Sequence, residues 1–188
     1  MTDEKISLAE LGNKAMSFDR ADMRDLYVRK ESEEYLCKRH MGVWNIDKGV
    51  LACIAPKSYA VIQHRTATEA IIDAITSLNI KATAELKTSR HGVHIDFDFP
   101  DAQFELKNVG EKFTSGIRIV NSYDMVAGLI ISPRVTRLAC TNGMIITEVI
   151  KSQRIKFTEQ LNITIEGIID KIIKDIIAND EKLANVVS

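Results

Sequence analysis

The stretch KATAELKTSRHGVHIDFDFPDAQFEL, Lys81–Leu106, decides the fold. In Lys81–Thr88, Ala82, Ala84 and Leu86 fall on one side while Lys81, Thr83, Glu85 and Lys87 fall on the other. A period of two marks a half-buried strand, because successive side chains point to opposite faces. Ser89-Arg90-His91-Gly92 supplies the residue types of a hairpin turn. The returning segment alternates again, with Val93, Ile95, Phe97 and Phe99 inward and His94, Asp96 and Asp98 toward water. Pro100-Asp101 predicts a second turn, and Phe104 and Leu106 continue the apolar side. The expectation is an antiparallel meander with one wet face.

The same reading extends outward. Downstream, Gly116–Val120 predicts a strand, followed by Met125–Ile131 and Val135–Cys140 on either side of Ser132-Pro133. Upstream, Val50–Ala55 and Tyr59–Gln63 read as short strands flanking Pro56-Lys57-Ser58. Thr66 or Thr68 caps a helix to about Leu78, with Ala70, Ile71, Ala74, Ile75 and Leu78 on its buried stripe. Ser7 followed by Glu10 is a capping box opening a helix over Leu8–Met16. Asp19–His40 is dense in charge of both signs and reads as a solvated arm, helical near Glu33–Arg39. After the Asn142-Gly143 turn, Met144–Lys151 predicts a helix. Another, Thr158–Ala178, carries Leu161, Ile165, Ile168, Ile169, Ile172 and Ile173 at spacings of three and four. That stripe is broad enough to bury against the sheet or a second subunit. The expected fold class is α+β: an antiparallel β-meander sheet packed with helices, and a long C-terminal helix. The expected domains are a helical, charged arm over 1–48, an α+β core over 49–157 and an amphipathic helix over 158–188.

Composition narrows the function classes. The formal net charge of −1 provides no global basic field, although a local basic groove is compatible with it. Cys37, Cys53 and Cys140 are far apart and odd in number, which argues against a disulfide framework or a CxxC zinc site and for a reducing compartment. The N-terminal MTDEKISLAEL lacks the pattern of a signal peptide. The apolar segment Ile163–Ile177 is interrupted by Glu166, Asp170, Lys171, Lys174 and Asp175, so it does not read as a membrane span. A soluble, cytoplasmic protein without a membrane partner is expected.

Neither GxSxG, HExxH, GxxxxGKS nor GxGxxG occurs, which favours a non-enzymatic role, and no motif calls for a cofactor. Two constellations carry chemistry. His94, Asp96, Asp98 and Glu105 share acids and an imidazole that suit a metal-dependent nuclease, or else a solvated face paired with Lys81 or Lys87. The second is a set of basic clusters, several near Tyr27, Tyr35 and Trp44. From these, Arg29, Lys30, Lys38, Arg39, Arg65, Arg134, Arg137, Lys151 and Arg154 are the candidate nucleic-acid contacts. Cations neutralise phosphates, and aromatic faces stack bases of any sequence. Arg134 and Arg137 fall on opposite faces of a regular strand, so one is expected to be buried and paired with an acid such as Asp124. Cys140 reads as a buried thiol.

Two segments carry a family resemblance. YAVIQHRTATEAI, Tyr59–Ile71, looks like the "YxVVQ…EA" pattern of the phage/plasmid-like family, a domain of mobile elements. RIVNSYDMVAGLIISPRVTRLACTNGMI, Arg118–Ile145, resembles that family's "NSHDG…PxRxVCxNT" signature at Asn121, Ser122, Asp124, Pro133, Arg134, Arg137, Cys140 and Asn142. It departs at Tyr123, Met125 and Gly143. The match covers about Val50–Ile150, and the family brings no established activity. The order of elements is also similar to that of the single-strand annealing recombinases of phage, which assemble into rings or filaments around a basic, partly aromatic groove. These resemblances imply a nucleic-acid-binding protein of a virus or mobile element, holding single-stranded DNA as a homo-oligomer and promoting annealing. The alternatives are the nuclease above and a non-enzymatic interaction module, such as a host-defence inhibitor or scaffold.

Overall fold

The computed structural model describes residues 5–106, 111–125, 128–137 and 153–155, together with 167, 171 and 174. The elements run β1 (Ile6–Ser7), α1 (Leu8–Ala15), β2 (Ala21–Lys30), β3 (Glu33–Asn45), β4 (Val50–Pro56), α2 (His64–Ser77), β5 (Thr83–Thr88), β6 (Gly92–Leu106), β7 (Glu111–Ser122), β8 (Leu129–Arg137) and β9 (Gln153–Ile155). They form a six-stranded sheet in the order β1-β5-β6-β7-β8-β9 and a three-stranded sheet β2-β3-β4. Every pairing is antiparallel.

The meander forms where the alternation placed it. Ser89 N donates to Gly92 O at 2.8 Å and closes the β5–β6 hairpin. Register then sets Ile95 beside Ile119 and Phe97 beside Ile117, and Ile119 beside Ile131 on the next strand. These side chains are buried, and Leu11, Ile71 and Ile75 from the two helices join the same core. Fully burying one such side chain stabilises a fold by about 1.5–3 kcal/mol, so this face dominates the stability of the large sheet. Ser7 caps α1 as expected, its side chain accepting from Glu10 N at 3.2 Å.

The expected α+β balance is corrected: the molecule is mostly β, with two antiparallel sheets and two helices. The segment Glu33–Arg39, expected to be helical, lies within β3: Glu33–Leu36 pair with β2, and residues 37–40 bulge out of that ladder before pairing resumes at Met41. Its β-branched and aromatic neighbours, Tyr27, Val28 and Tyr35, prefer the pleated surface of a ribbon, and mixed charge is equally at home on an exposed strand. No long C-terminal helix is seen among the described residues, and the stretch expected to form it lies outside them. So do the helix expected over Met144–Lys151 and the Cys140 and Asn142-Gly143 positions.

Proline misled the reading twice. Pro100 does not end a strand, because β6 continues through it with a bulge opposite β7 between Asp98 and Gln103. A bulge leaves the extra residues outside the ladder, so the missing N–H costs little. Pro133 likewise lies inside the single strand β8, beyond the Leu129–Ile131 stretch that pairs with β9. Tyr59–Gln63 is not part of either sheet. α2 begins at His64, ahead of the expected threonine caps, and Gln63 gives no side-chain cap. A tertiary partner starts it instead: His64 N donates to the Tyr123 hydroxyl at 3.1 Å. The small sheet also straddles the expected boundary at residue 48, with β3 before it and β4 after. Among the described residues, no helix is long and apolar enough to cross a membrane.

Candidate functional site

Three places gather polar side chains, and they differ in what they leave free. The first is the face of the large sheet opposite the helices. Asp96 faces Arg118 directly across β6 and β7, and Asp98 faces Gly116. Arg118 grips Asp96 with Nε and Nη2, each 2.6 Å from a carboxylate oxygen. Arg134, opposite Gly116 on β8, reaches past that glycine to hydrogen-bond Asp98. Thr136 Oγ1 and Lys5 Nζ, each at 2.9 Å, complete the Asp98 carboxylate. His94 Nε2 lies 3.1 Å from Asp96 Oδ1.

The expected wet face is therefore corrected at its centre. Asp96 and Asp98 are only 4% and 6% exposed, and Arg134 5%. Burial pushes the Asp96 carboxyl up, but hydrogen bonds from Arg118 and His94 and the charges of Arg134 and Arg118 outweigh it, holding its pKa well below the usual range. The partners differ from those expected: Lys81 pairs with Asp101 and Lys87 with Glu85, while Arg134 pairs with Asp98 rather than Asp124. Guanidinium groups occupy the oxygens that a cation would need, and the Glu105 side chain lies outside the described residues. Among the described residues, no three His, Cys, Asp or Glu side chains are grouped to hold a metal ion. This network is a structural clamp: it staples three strands through paired charge.

The second place joins the two resembling segments, Tyr59–Ile71 and Arg118–Ile145. His64 stacks on Tyr123 with ring centroids 3.8 Å apart and planes 17° from parallel. Asn121 Nδ2 donates to Ile62 O at 3.1 Å and lies 2.9 Å from His64 Nδ1. The first bond fixes the amide orientation, so the second N–H points at an accepting Nδ1. In that arrangement the His64 proton sits on Nε2. Burial lowers the His64 pKa to about 4, against smaller opposing contributions from the Asp19 charge and the His91 backbone. Burial likewise pushes the Tyr123 hydroxyl up to about 12. That hydroxyl donates to Asp19 O at 2.8 Å, tying the start of the small sheet to the large one. Both rings are satisfied, so the centre is an internal brace. Beside it, a cleft of about 540 Å³ is lined by Phe18, Asp19, Arg20, Gln63 and Arg65 among others.

The third place is open. One face of the small sheet is buried: Val43 and Ala55 pack with Tyr123. Above Gly42 the other face gathers Trp44, Leu51 and Leu26, and a Cβ there would come within 2.7 Å of Trp44 Nε1. Ile54 on β4, opposite Gly42, is 57% exposed. The β2–β3 hairpin continues beyond β4, whose pairing with β3 begins at His40. On it Tyr27, Val28, Tyr35 and Leu36 are exposed, as are Arg24, Arg29, Lys30, Lys38, Arg39 and His40.

The predicted contact residues thus separate. Arg29, Lys30, Lys38 and Arg39 all lie exposed on the hairpin, the first two at its tip and the last two in the stretch where β3 leaves the β2 ladder. Arg65 is exposed on the first turn of α2, with Nε 2.7 Å from Glu69 Oε1. Arg134 is buried and cannot meet a ligand. Lys151 and the side chains of Arg137 and Arg154 lie outside the described residues. The sequence reading missed the Arg118–Asp96 pair and the Asn121–His64 contact, and its only signal was that the two resembling segments contain Arg118, Asn121 and His64. No protein-family model, curated protein or solved structure matches the chain.

Proposed function

We propose that this chain is a nucleic-acid-binding protein that holds single-stranded DNA on the β2–β3 hairpin and the open face of the small sheet. One observation carries the reading. Four of the candidate phosphate contacts, Arg29, Lys30, Lys38 and Arg39, lie with Tyr27 and Tyr35 on one hairpin whose side chains are exposed. Arg24, His40 and Trp44 extend the same mixture toward its root. In this reading the cations take phosphates and the rings stack bases, which tolerates any sequence. No bond is made or broken. Held strands with exposed bases would be presented to a complementary strand, which is the annealing part of the proposal. The origin in a virus or mobile element rests on the likeness of Tyr59–Ile71 and Arg118–Ile145 to the phage/plasmid-like family.

Fluorescence anisotropy of labelled oligo(dT) across a salt series tests the reading. Four phosphate contacts predict log K falling against log salt with a slope of roughly −3. Absence of binding at low salt would remove the proposal, and parallel titrations with oligo(U) and duplex DNA define the preferred strand.

A further inference from the structure

We propose that Trp44, seated on Gly42 at the root of the hairpin, is a stacking platform for one unpaired nucleobase, and that it makes binding depend on bases as well as phosphates. Trp44 is the single tryptophan of the chain. By strand alternation it lies on the face of the small sheet turned away from the buried Val43. On that face Gly42 sits between Arg24 of β2 and Ile54 of β4, and Trp44 between Asp22 and Leu51. Directly opposed residues of antiparallel strands share one face of a sheet, so these side chains are neighbours.

The glycine makes the platform. Gly42 lacks the positive φ that would call for glycine on backbone grounds, and a glycine inside a strand marks a close approach. Here the indole approaches: a Cβ on Gly42 would lie 2.7 Å from Trp44 Nε1, 2.9 Å from Leu51 Cδ1 and 3.0 Å from Leu26 Cδ2. Three apolar side chains thus close over the glycine, which is buried beneath them. The surface they form is open in turn. Leu51 is 39% and Ile54 57% exposed, and Trp44 is only half-buried. An aromatic ring steadied by its neighbours within an exposed apolar patch has the form of a binding surface.

Charge selects the occupant. Arg24, directly opposite Gly42, is exposed and makes no hydrogen bond or ion pair with another described residue. Asp22, opposite Trp44, turns back on its own strand, its Oδ1 accepting from Met23 N at 2.8 Å. Diagonal neighbours across two strands stand about 7–8 Å apart, within reach of long side chains. A phosphate on Arg24 and a base on Trp44 can therefore belong to one nucleotide. A flat ring carried on an anionic backbone uses both groups, whereas an apolar side chain of a protein partner leaves the guanidinium idle. A base must leave its pair to lie on the indole, so the platform favours a single strand over a duplex. Arg29, Lys30, Lys38 and Arg39 remain for the flanking phosphates.

This inference rests on the proposed binding of single-stranded DNA, and its test separates the two. With one tryptophan in the chain, emission excited at the red edge of the band, where tyrosine does not absorb, reports Trp44 alone. Emission and anisotropy are followed in parallel titrations of the full chain with oligo(dT) and with an abasic strand of equal length. Oligo(dT) should quench the emission in step with the rise in anisotropy. The abasic strand should bind roughly tenfold or more weakly and leave the emission unchanged. Trp44→Ala should weaken oligo(dT) binding roughly tenfold without changing the affinity for the abasic strand, and an equal loss for both strands would mark a structural role instead. Gly42→Val keeps the tryptophan but displaces it, and should abolish the quenching. A rise in anisotropy without quenching, or equal quenching by the abasic strand, would overturn the platform and leave DNA binding standing. Anisotropy unmoved by either strand would remove both. Emission that shifts with protein concentration alone would give the face to a second copy and overturn the proposal.

Discussion

The two sheets treat charge in opposite ways. In the large sheet, Asp96, Asp98 and Arg134 are buried and mutually paired, and the apolar face beneath helices α1 and α2 is sealed. In the small sheet's hairpin the charges stand in water, and Tyr27, Val28, Tyr35 and Leu36 are uncovered. Buried charge held by buried partners organises a fold and has little left to offer a ligand. Exposed cations beside exposed rings contribute little to folding and are available for recognition. The difference supports the proposal that the large sheet carries structure and the small sheet's hairpin carries interaction, and substitutions in each should separate stability from binding.

The largest expected effect is in the clamp. Arg134→Ala leaves the buried Asp98 with only Lys5 and Thr136 and takes one of two arginines from Asp96, and should cost up to about 3–5 kcal/mol in urea unfolding. Adding Asp98→Leu to Arg134→Met should recover much of that loss, because an apolar replacement removes the stranded charge as well. A loss near zero for Arg134→Ala would mean that the network is not a structural element.

Next comes pH. His64 has a folded pKa of about 4 against an ordinary 6.5, so between those values the unfolded chain binds more protons than the folded one. Stability should therefore be flat above pH 6.5 and fall as pH drops toward 4, by up to about 3 kcal/mol. His64→Gln should flatten that slope. Asp96 acts lower: its folded pKa is depressed, so its contribution is present above 3.8 and is lost as pH falls beneath it. Chemical denaturation at stepped pH separates the two groups.

A smaller effect is expected at Gly116, where a Cβ would collide with the Phe97 carbonyl oxygen. Gly116→Ala should cost about 1–3 kcal/mol by forcing β6 and β7 apart, read as a lowered denaturation midpoint. Smallest of all, Tyr27→Ser and Tyr35→Ser should change stability by roughly 0.5 kcal/mol or less while weakening single-strand binding through lost stacking. Equal losses of stability in the hairpin and the clamp would dissolve the contrast between the sheets.

How much of this was legible follows from the range of the interactions. The meander and α1 were readable because alternation and a Ser7–Glu10 cap are local patterns. The hairpin was misread because mixed charge without strict alternation does not distinguish a solvated helix from a solvated ribbon. The burial of Asp96 and Asp98 was hidden because the outward positions of a strand look alike whether water or a guanidinium meets them. Their partners are encoded on β7 and β8, at Arg118 and Arg134, which only register brings within reach. Pro100 and Pro133 were read as breaks because a bulge, or a strand position with no β9 partner among the described residues, is a property of the neighbouring strand. The basic clusters at Arg29-Lys30 and Lys38-Arg39 were visible from the start, but their meeting on one hairpin was not.

The most direct test of the central claim compares wild type with the R29A/K30A/K38A/R39A variant, measuring oligo(dT) binding at low salt and thermal unfolding on the same samples. The account predicts that the variant loses at least about tenfold in affinity and keeps the wild-type unfolding temperature. Wild-type affinity retained by the variant would contradict it, as would a loss of binding that merely follows a loss of folding.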